Sequence, residues 1–347
     1  MNDLRSYTIS ELKTILASYG EKPYRASQIF SWLHEKRVSG FEEMTDISKD
    51  LRQKLSGDYC IVHLKIAEVQ SSKKDGTKKF LYELHDGNLI ESVFMKYREW
   101  NSACISSQAG CDMGCRFCAS GIDGCVRSLT AAEMLDEIYT MEEYTGEKIN
   151  SVVVMGSGEP LLLLDELLRF IEIITADGGK HLSQRSITVS TCGIVPKIRE
   201  LAEKKLQINL AISLHAATDE KRQQIMPIAK KYSIAELMDA CVCYFEQTGR
   251  RLTFEYALID GFNDTGEDAA ELADLLKGKM SHVNLIPVNP VKERDFRRPD
   301  GEKARRFKVR LENFGINVTI RRELGSDIDG ACGQLRRKRK KQGSEYA

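Results

Sequence analysis

Three cysteines stand close together in the segment Cys111-Asp-Met-Gly-Cys115-Arg-Phe-Cys118. The spacing C-x3-C-x2-C lets one loop hold three corners of a [4Fe–4S] cluster, which takes four ligands when fully coordinated, so one iron remains open to a small molecule. Zinc is the alternative. A structural zinc ion needs four protein ligands, usually from two separated pairs, and the fourth would have to be Cys104, Cys125 or a distant residue. The spacing therefore favours the cluster.

The same segment, with the aromatic Phe117 before its last cysteine, resembles the signature of the radical S-adenosylmethionine (SAM) superfamily. In that superfamily SAM chelates the open iron through its amino and carboxylate groups. Farther along, an apolar run ends in Gly156-Ser-Gly158-Glu159. This stretch resembles the superfamily segment that binds the SAM amine, and the resemblance implies Gly158 and Glu159 as SAM contacts. An ordinary turn between a strand and a helix is the alternative reading.

After residue 100 the sequence alternates between strand-like and helix-like segments. Short, apolar, β-branched runs predict parallel strands covered on both faces, namely Ser151–Met155, Ser186–Ser190, Ile208–Leu214, Leu252–Ile259, Val283–Pro287 and Asn317–Ile320. Repeated strand–helix units predict a parallel barrel or a doubly wound sheet. The superfamily resemblance implies an α/β fold with a partial (β/α)6 TIM-like radical SAM barrel. Residues at the strand ends are then further cofactor candidates, and these are Ser190, Ser213, Leu214, His215 and Asn289.

Charge and cysteine content limit the classes of protein to which the chain can belong. The formal net charge is zero, but residues 291–347 carry 17 Lys and Arg against 9 Asp and Glu, which suggests a polyanionic partner. A solvated, frayed tail is the alternative reading of the densest basic run, Arg336–Lys341. There is no apolar run of the roughly 20 residues that a membrane helix needs and no signal-peptide pattern. We therefore expect a cytoplasmic protein whose ten cysteines do not form a disulfide framework.

Three longer stretches identify a family. They are Cys104-Ile-Ser-Ser-Gln-Ala-Gly-Cys111, Met155-Gly-Ser-Gly-Glu-Pro-Leu161 and Asp327-Ile-Asp-Gly-Ala-Cys332-Gly-Gln-Leu335. They resemble the bacterial RlmN/Cfr family of radical SAM RNA adenine methyltransferases, and the resemblance runs nearly end to end. It implies a helical RNA-binding accessory domain at 1–60, a β-strand extension or linker at 61–98, a barrel core with a catalytic cysteine segment at 99–335, and a basic tail at 336–347.

The resemblance also implies the roles of individual residues. One SAM methylates Cys332. A second SAM is cleaved at the cluster held by Cys111, Cys115 and Cys118, and the resulting radical takes a hydrogen atom from the S-methyl group. The carbon radical then adds to adenine, and Cys104 resolves the crosslink by forming a disulfide with Cys332. Glu91 occupies the place of the family's acid–base residue; a solvent-facing strand carboxylate is the alternative reading.

Substrate and partners follow from the same resemblance. Pro160 favours methylation at adenine C2, whereas the C8-methylating group, associated with antibiotic resistance, typically has alanine there. The expected substrate is an adenosine of 23S rRNA at the peptidyl-transferase centre, with a tRNA anticodon-loop adenosine as a second substrate. We also expect a flavodoxin-like electron donor, no membrane and a monomer. Rival classes are a radical SAM activase that places a glycyl radical on a partner protein and a non-catalytic Fe–S or zinc RNA-binding module.

Overall fold

A computed structural model describes residues 1–289, 293–328 and 335–339. The chain begins with a small helical unit closed by two short parallel strands, in which Asn2 pairs with Tyr59. Its elements are β1 (Asn2–Asp3), α1 (Ile9–Ser18), α2 (Tyr24–His34), α3 (Lys49–Asp58) and β2 (Tyr59–Cys60). Thr8 and Glu11 form a capping box at the start of α1, and the apolar residues of the three helices are buried.

An antiparallel meander follows the helical unit. It consists of β3 (Lys65–Ser71), β4 (Lys78–Glu83), β5 (Leu89–Lys96) and β6 (Asn101–Ile105). Residues 72–77 form the turn between β3 and β4. The meander is continuous with the rest of the molecule, because β6 also pairs in parallel with a strand of the barrel. It therefore forms one side of the large sheet.

The rest of the sheet is parallel. A small antiparallel pair, β7 (Gln108–Gly110) and β8 (Cys125–Ser128), frames the cysteine loop. Helix α4 follows this pair, and each of the next five strands, β9 to β13, is followed by at least one helix before the last strand, β14. In chain order the elements are α4 (Ala131–Thr145), β9 (Ser151–Val154), α5 (Leu164–Thr175), β10 (Ile187–Thr191), α6 (Val195–Glu203), β11 (Asn209–Ser213), α7 (Asp219–Ile225), α8 (Ile234–Thr248), β12 (Leu252–Leu258), α9 (Gly266–Leu276), β13 (Ser281–Pro287), α10 (Gly301–Asn313) and β14 (Val318–Ile320).

The ten strands have the order β14-β13-β12-β11-β10-β9-β6-β5-β4-β3. Six strand–helix units run from β6 to α10, and β14 adds a seventh parallel strand. The sheet is open, since the described residues of its edge strands β3 and β14 do not pair with each other. The α/β fold class with a partial six-unit barrel is confirmed.

Local sequence explains these elements. The alternation of buried and half-buried residues along β10 matches a strand covered by helices on one face. Capping boxes begin α4 at Thr130 and α8 at Ser233, and Gly146 and Gly249 end the same helices in the left-handed conformation. Among the described residues no helix is both long and apolar enough to cross a membrane.

Buried polar contacts join the helical unit to the barrel. The guanidinium of Arg5 lies 2.6 Å from the carboxylate of Asp136 on α4, and both side chains are buried. The other oxygen of Asp136 accepts the backbone N–H of Leu64 at 2.6 Å. Nearby, His34 of α2 contacts the Tyr139 hydroxyl at 3.2 Å. Because a buried charge without its partner is costly, these contacts hold the two parts in one arrangement.

Candidate active site

The carboxyl ends of the parallel strands meet at one end of the barrel. The chain leaves β6 at Ile105 and β9 at Val154, and the backbone N–H of Gly156 donates to the Ile105 carbonyl at 2.9 Å. Ser107 and Gln108 both donate their backbone N–H groups to the Ser157 carbonyl. The cysteine loop follows directly, so the barrel brings it against the turn after β9, as parallel barrels do with their functional loops.

The cysteine loop is held by backbone contacts at both ends. The N–H of Cys111 donates to the Gly124 carbonyl at 3.1 Å, and the N–H of Arg116 donates to the Ile225 carbonyl at 2.9 Å. Cys115 and Phe117 pack against an apolar cluster that includes Met226. The loop is therefore anchored to both the strand pair β7–β8 and the end of α7.

Burial and mutual repulsion disfavour negative charge on the loop thiols. Burial raises the pKa of the Cys111 thiol to about 11, and burial together with the charges of Cys118 and Cys111 raises the pKa of Cys115 further. Such a set of thiols carries negative charge only with a bound cation, which deprotonates coordinating thiols. A cubane cluster binds each thiolate at a different iron. The three half-buried thiols on one loop fit that requirement.

The turn after β9 needs both of its glycines. A Cβ at Gly156 would lie 2.7 Å from the Ile105 carbonyl oxygen. Gly158 has a φ of +112°, and a Cβ there would lie 2.5 Å from the Ser107 Oγ and 2.8 Å from the Gln108 Cβ. A side chain at either position would therefore separate the turn from the loop that leads to the cysteines. The glycines permit the close approach of backbone that a bound ligand also requires.

Glu159 is buried and bound by backbone. One carboxylate oxygen accepts the Cys192 N–H at 2.7 Å, and the other accepts the Leu161 N–H at 3.2 Å. Burial raises the pKa of this carboxyl despite these contacts. The carboxylate thus links the end of β9 to the end of β10. Its assignment as a contact of the SAM amine stays a prediction.

The next strand ends hold the other cofactor candidates. Ser190 and Ser213 lie side by side, with their hydroxyls 3.5 Å apart. Leu214 is fully buried and His215 nearly so. His215 has a φ of +61°, in the left-handed region that side chains other than glycine rarely adopt. Its Nδ1 accepts the Ala257 N–H at 2.8 Å, and burial lowers its pKa to about 3, so the ring is neutral.

His215 also connects the strand ends to the cysteine loop. Its ring meets that of Phe117 edge to face, with centroids 4.7 Å apart. The two strand ends beside it are tied by Arg222, a buried residue that sequence reasoning did not single out. Its guanidinium donates to the Cys192 carbonyl at 2.8 Å and the Leu214 carbonyl at 3.2 Å. Its position three residues before the end of α7 gave no signal of this role.

A cavity of about 380 Å³ opens from the cysteine loop along the inner face of the sheet. Its lining includes the buried Cys104, the half-buried Cys118 and the predicted Asn289, which is exposed. Its mouth carries three arginines, Arg298, Arg321 and Arg322. Arg321 and Arg322 were missed by sequence reasoning; their signal is a pair of cations directly after the last parallel strand. The arginines make the mouth suited to anionic ligands.

Glu91 and Cys104 lie on neighbouring strands beside this cavity. Each is only 4% exposed, so the solvent-facing reading of Glu91 is wrong. The Glu91 Oε2 lies 2.9 Å from the Nζ of Lys79 on β4, and the backbone N–H of Arg336 donates to Oε1. Lys79 was also missed; its signal is its place as the second of two lysines directly before the apolar run Phe80–Tyr82. The structure thus surrounds Glu91 with donors.

Cys332 lies outside the described residues. The chain is described again from Leu335, and Arg336 follows Cys332 by four positions and contacts Glu91. The predicted disulfide between Cys104 and Cys332 is not supported by the structure, in which no two of the described cysteines are joined. Cys125 donates its backbone N–H to Asp112 at 2.6 Å beside the cysteine loop.

Known proteins resemble this chain over nearly its whole length. The sequence family described as Ribosomal RNA large subunit methyltransferase N-terminal domain matches residues 2–61, and the Radical SAM superfamily matches residues 105–276. A probable dual-specificity RNA methyltransferase RlmN from Lachnospira eligens is 56% identical over 97% of both chains. Another with the same description, from Lachnoclostridium phytofermentans, is 54% identical over 96% of this chain and 94% of its own.

A solved structure extends the likeness to three dimensions. The crystal structure of a radical SAM methyltransferase from Sphaerobacter thermophilus superposes with a TM-score of 0.89 and 40% identity, and the match covers 96% of this chain and 99% of that one. Identity of this level over whole chains establishes common descent. The chain belongs to the RlmN family of the radical SAM superfamily.

Proposed function

We propose that this protein methylates C2 of an adenosine at the peptidyl-transferase centre of 23S rRNA, with a tRNA anticodon-loop adenosine as a second substrate. Its relatives are described as dual-specificity RNA methyltransferases. The observation that carries the proposal is the shared cavity, in which Cys104 and the cluster cysteine Cys118 lie below an arginine-lined mouth. Its volume falls within the range of small-ligand sites, about 300–1,000 Å³.

The chain's own residues divide the work. Cys111, Cys115 and Cys118 hold a [4Fe–4S] cluster, and the turn at Gly158 with the ends of β10 and β11 holds SAM. When bound, these groups supply the methyl carried by Cys332 and the radical that activates it. Cys104 attacks the Cys332 sulfur to release the product, and Glu91 accepts the C2 proton. Such a route suits adenine C2, an electron-poor carbon that does not attack a methylsulfonium.

The target base must leave the base stack of the RNA before it can enter a buried cavity. Arg321 and Arg322 follow β14 at the cavity mouth, where they would meet the phosphates beside an inserted base. Arg298 also lines the mouth and forms a two-point ion pair with Glu323, at 2.9 and 2.8 Å. These contacts position RNA without reading its sequence. The electron is supplied by a flavodoxin-like donor.

The test is chemical analysis of RNA from a strain that lacks this protein. We expect 2-methyladenosine to disappear from 23S rRNA digests and to return with the wild-type gene but not with Cys104→Ala or Cys332→Ala. Loss of 2-methyladenosine from tRNA digests would extend the activity to tRNA. Undiminished 2-methyladenosine in the deletion strain would refute the proposal, and loss of 8-methyladenosine instead would assign the chain to C8 chemistry.

A further inference from the structure

Lys79 is a buried lysine on a strand whose next residues are apolar. It lies on β4 with no exposed surface, followed by the buried residues Phe80, Leu81 and Tyr82. Its Nζ is 2.9 Å from the Oε2 of Glu91, which is itself 4% exposed. Moving two charges out of water costs more than an apolar pair of the same size, so a buried ion pair is a poor means of stabilisation. Stability alone therefore does not explain why Lys79 and Glu91 are buried together.

Strand register places this pair at the catalytic thiol. Lys79 pairs with Val93 on β5, and Val93 pairs with Cys104 on β6. Glu91 precedes Val93 by two positions and so projects from the same face of the sheet. The three side chains line one internal cavity of about 10 Å³, together with Gly156 and Ser157. A cavity of this size is at the lower limit for one water molecule, so bulk solvent is excluded from the pair.

Glu91 is held from a second side. The backbone N–H of Arg336 donates to its Oε1, and the Arg336 guanidinium is attracted by Asp123 as well as by Glu91. Within the described parts of the chain, the charged and titratable groups placed against Glu91 are Lys79 from β4, Cys104 from β6 and Arg336 from the C-terminal segment. Two of the three are cations. These contacts leave the Glu91 carboxylate few orientations.

We propose that Lys79 is a positioning residue that holds the Glu91 carboxylate in one orientation, aimed at the reacting base beside Cys104. The inference rests on the proposed function and deepens it. In the step concerned the C2–H bond of the RNA adduct breaks, the proton passes to the Glu91 carboxylate, and the electron pair stays in the ring. A carboxylate that is turned away from C2 cannot accept that proton. The ammonium of Lys79 therefore determines how well Glu91 is placed for this step.

The experiment uses the full chain, reconstituted with iron, sulfide and SAM and supplied with a reductant and an rRNA fragment that contains the target adenosine. Lys79→Met is compared with Lys79→Arg and with Lys180→Met. Lys180 is the matched control, because it forms another largely buried ion pair, with Glu142, far from the cavity. Four products are measured between pH 6.5 and 9, namely methylated Cys332, 5′-deoxyadenosine, the protein–RNA crosslink and 2-methyladenosine.

We expect Lys79→Met to form methylated Cys332 and 5′-deoxyadenosine as the wild type does in the first turnover. Release of 2-methyladenosine at pH 7 should fall on the order of a hundredfold, as general-base losses do, and the crosslink should accumulate. Lys79→Arg keeps the cation and should restore most of the release at pH 7, and Lys180→Met should not change the ratio of crosslink to product.

Other outcomes overturn the inference. A Lys79→Met protein that releases 2-methyladenosine as fast as the wild type, without accumulating the crosslink, would show that Glu91 does not depend on the ammonium. Loss of all four products together would assign Lys79 a structural role; Lys79→Gln, which keeps a donor without the charge, then repeats the comparison in a soluble protein. If the wild type forms no 2-methyladenosine, the proposed function fails first, and this inference fails with it.

Discussion

The hydroxyl of Ser72 donates a hydrogen bond of 2.6 Å to the carboxylate of Asp327, although the two residues are 255 positions apart. The other Asp327 oxygen accepts the Lys73 N–H at 2.9 Å. In return, Asp75 accepts the Gly325 N–H at 2.9 Å. The turn and the segment around Asp327 therefore each provide one carboxylate that accepts hydrogen bonds from the other. The turn between β3 and β4 is thereby fixed to the segment that leads toward Cys332.

The first prediction concerns this link. Asp327→Ala removes both contacts with the turn, and we expect methylation of rRNA to fall about tenfold to a hundredfold, as misplacement of reacting groups typically causes. The melting temperature should change little, because Asp327 is at the surface. Asp177→Ala, another exposed aspartate, is the control. Turnover by the Asp327→Ala protein equal to that of the control would show that the link does not position the catalytic segment.

The second prediction concerns Gly158. Gly158→Ala places a methyl group 2.5 Å from the Ser107 Oγ in a left-handed backbone conformation. Gly249→Ala is the matched control, since Gly249 also has a positive φ, +65°, but no atom within 4 Å of an added Cβ. In both variants an alanine must adopt a positive φ, which lowers the free energy of unfolding by about 1–2 kcal/mol. Only Gly158→Ala should weaken SAM binding, by at least about tenfold if the clash adds 1.4 kcal/mol or more.

Calorimetric titration of SAM into the reconstituted proteins measures this difference. The comparison separates a general loss of stability from a change in the site. Equal SAM affinity in the two variants would show that the turn after β9 is not part of the SAM site.

The third prediction concerns pH and stability. Burial, with the charges of Arg5 and Arg37, lowers the pKa of His34 from 6.5 to about 3. As pH falls below 6.5, the unfolded chain binds a proton at His34 that the folded chain does not bind, so the free energy of unfolding decreases. The decrease reaches about 1.4 kcal/mol per pH unit for one such group and continues toward pH 3.

His34→Gln should make this dependence shallower. Between pH 7 and pH 5.5 we expect the variant to lose about 1 kcal/mol less than the wild type, as measured by urea denaturation at both pH values. His181→Gln replaces an exposed histidine and should keep the wild-type slope. His215 contributes in the same direction in all three proteins, because burial also lowers its pKa to about 3. Parallel losses in the wild type and His34→Gln would contradict the assignment.

Local patterns made much of the molecule predictable. The six later parallel strands each have a short apolar run of their own, and the capping boxes at Thr130 and Ser233 mark helix starts without reference to the rest of the chain. The cysteine loop is equally local, since three ligands within eight residues belong to one site in any fold. The turn at Gly158 follows from its strand. These features therefore needed no tertiary information.

The surroundings of Glu91 were not predictable in this way. Its ammonium partner, Lys79, comes from the neighbouring strand, and which residue stands there depends on the register of an antiparallel pair. Its backbone partner, Arg336, arrives from 245 positions away. The sequence showed Arg336 only as the first residue of a basic run. Likewise, Arg222 ties strand ends whose proximity appears only once the barrel has formed.

The most direct test of the account is the mass of the Cys332 peptide from protein produced with its cluster and SAM. We predict one added methyl group on Cys332 in the wild type and none in the Cys118→Ala protein, which should not assemble the cluster. Treatment with rRNA, further SAM and reductant should then move that methyl carbon to adenine C2. A Cys332 peptide that stays unmodified in an active, cluster-loaded protein would contradict the claim that the methyl group is carried on this thiol.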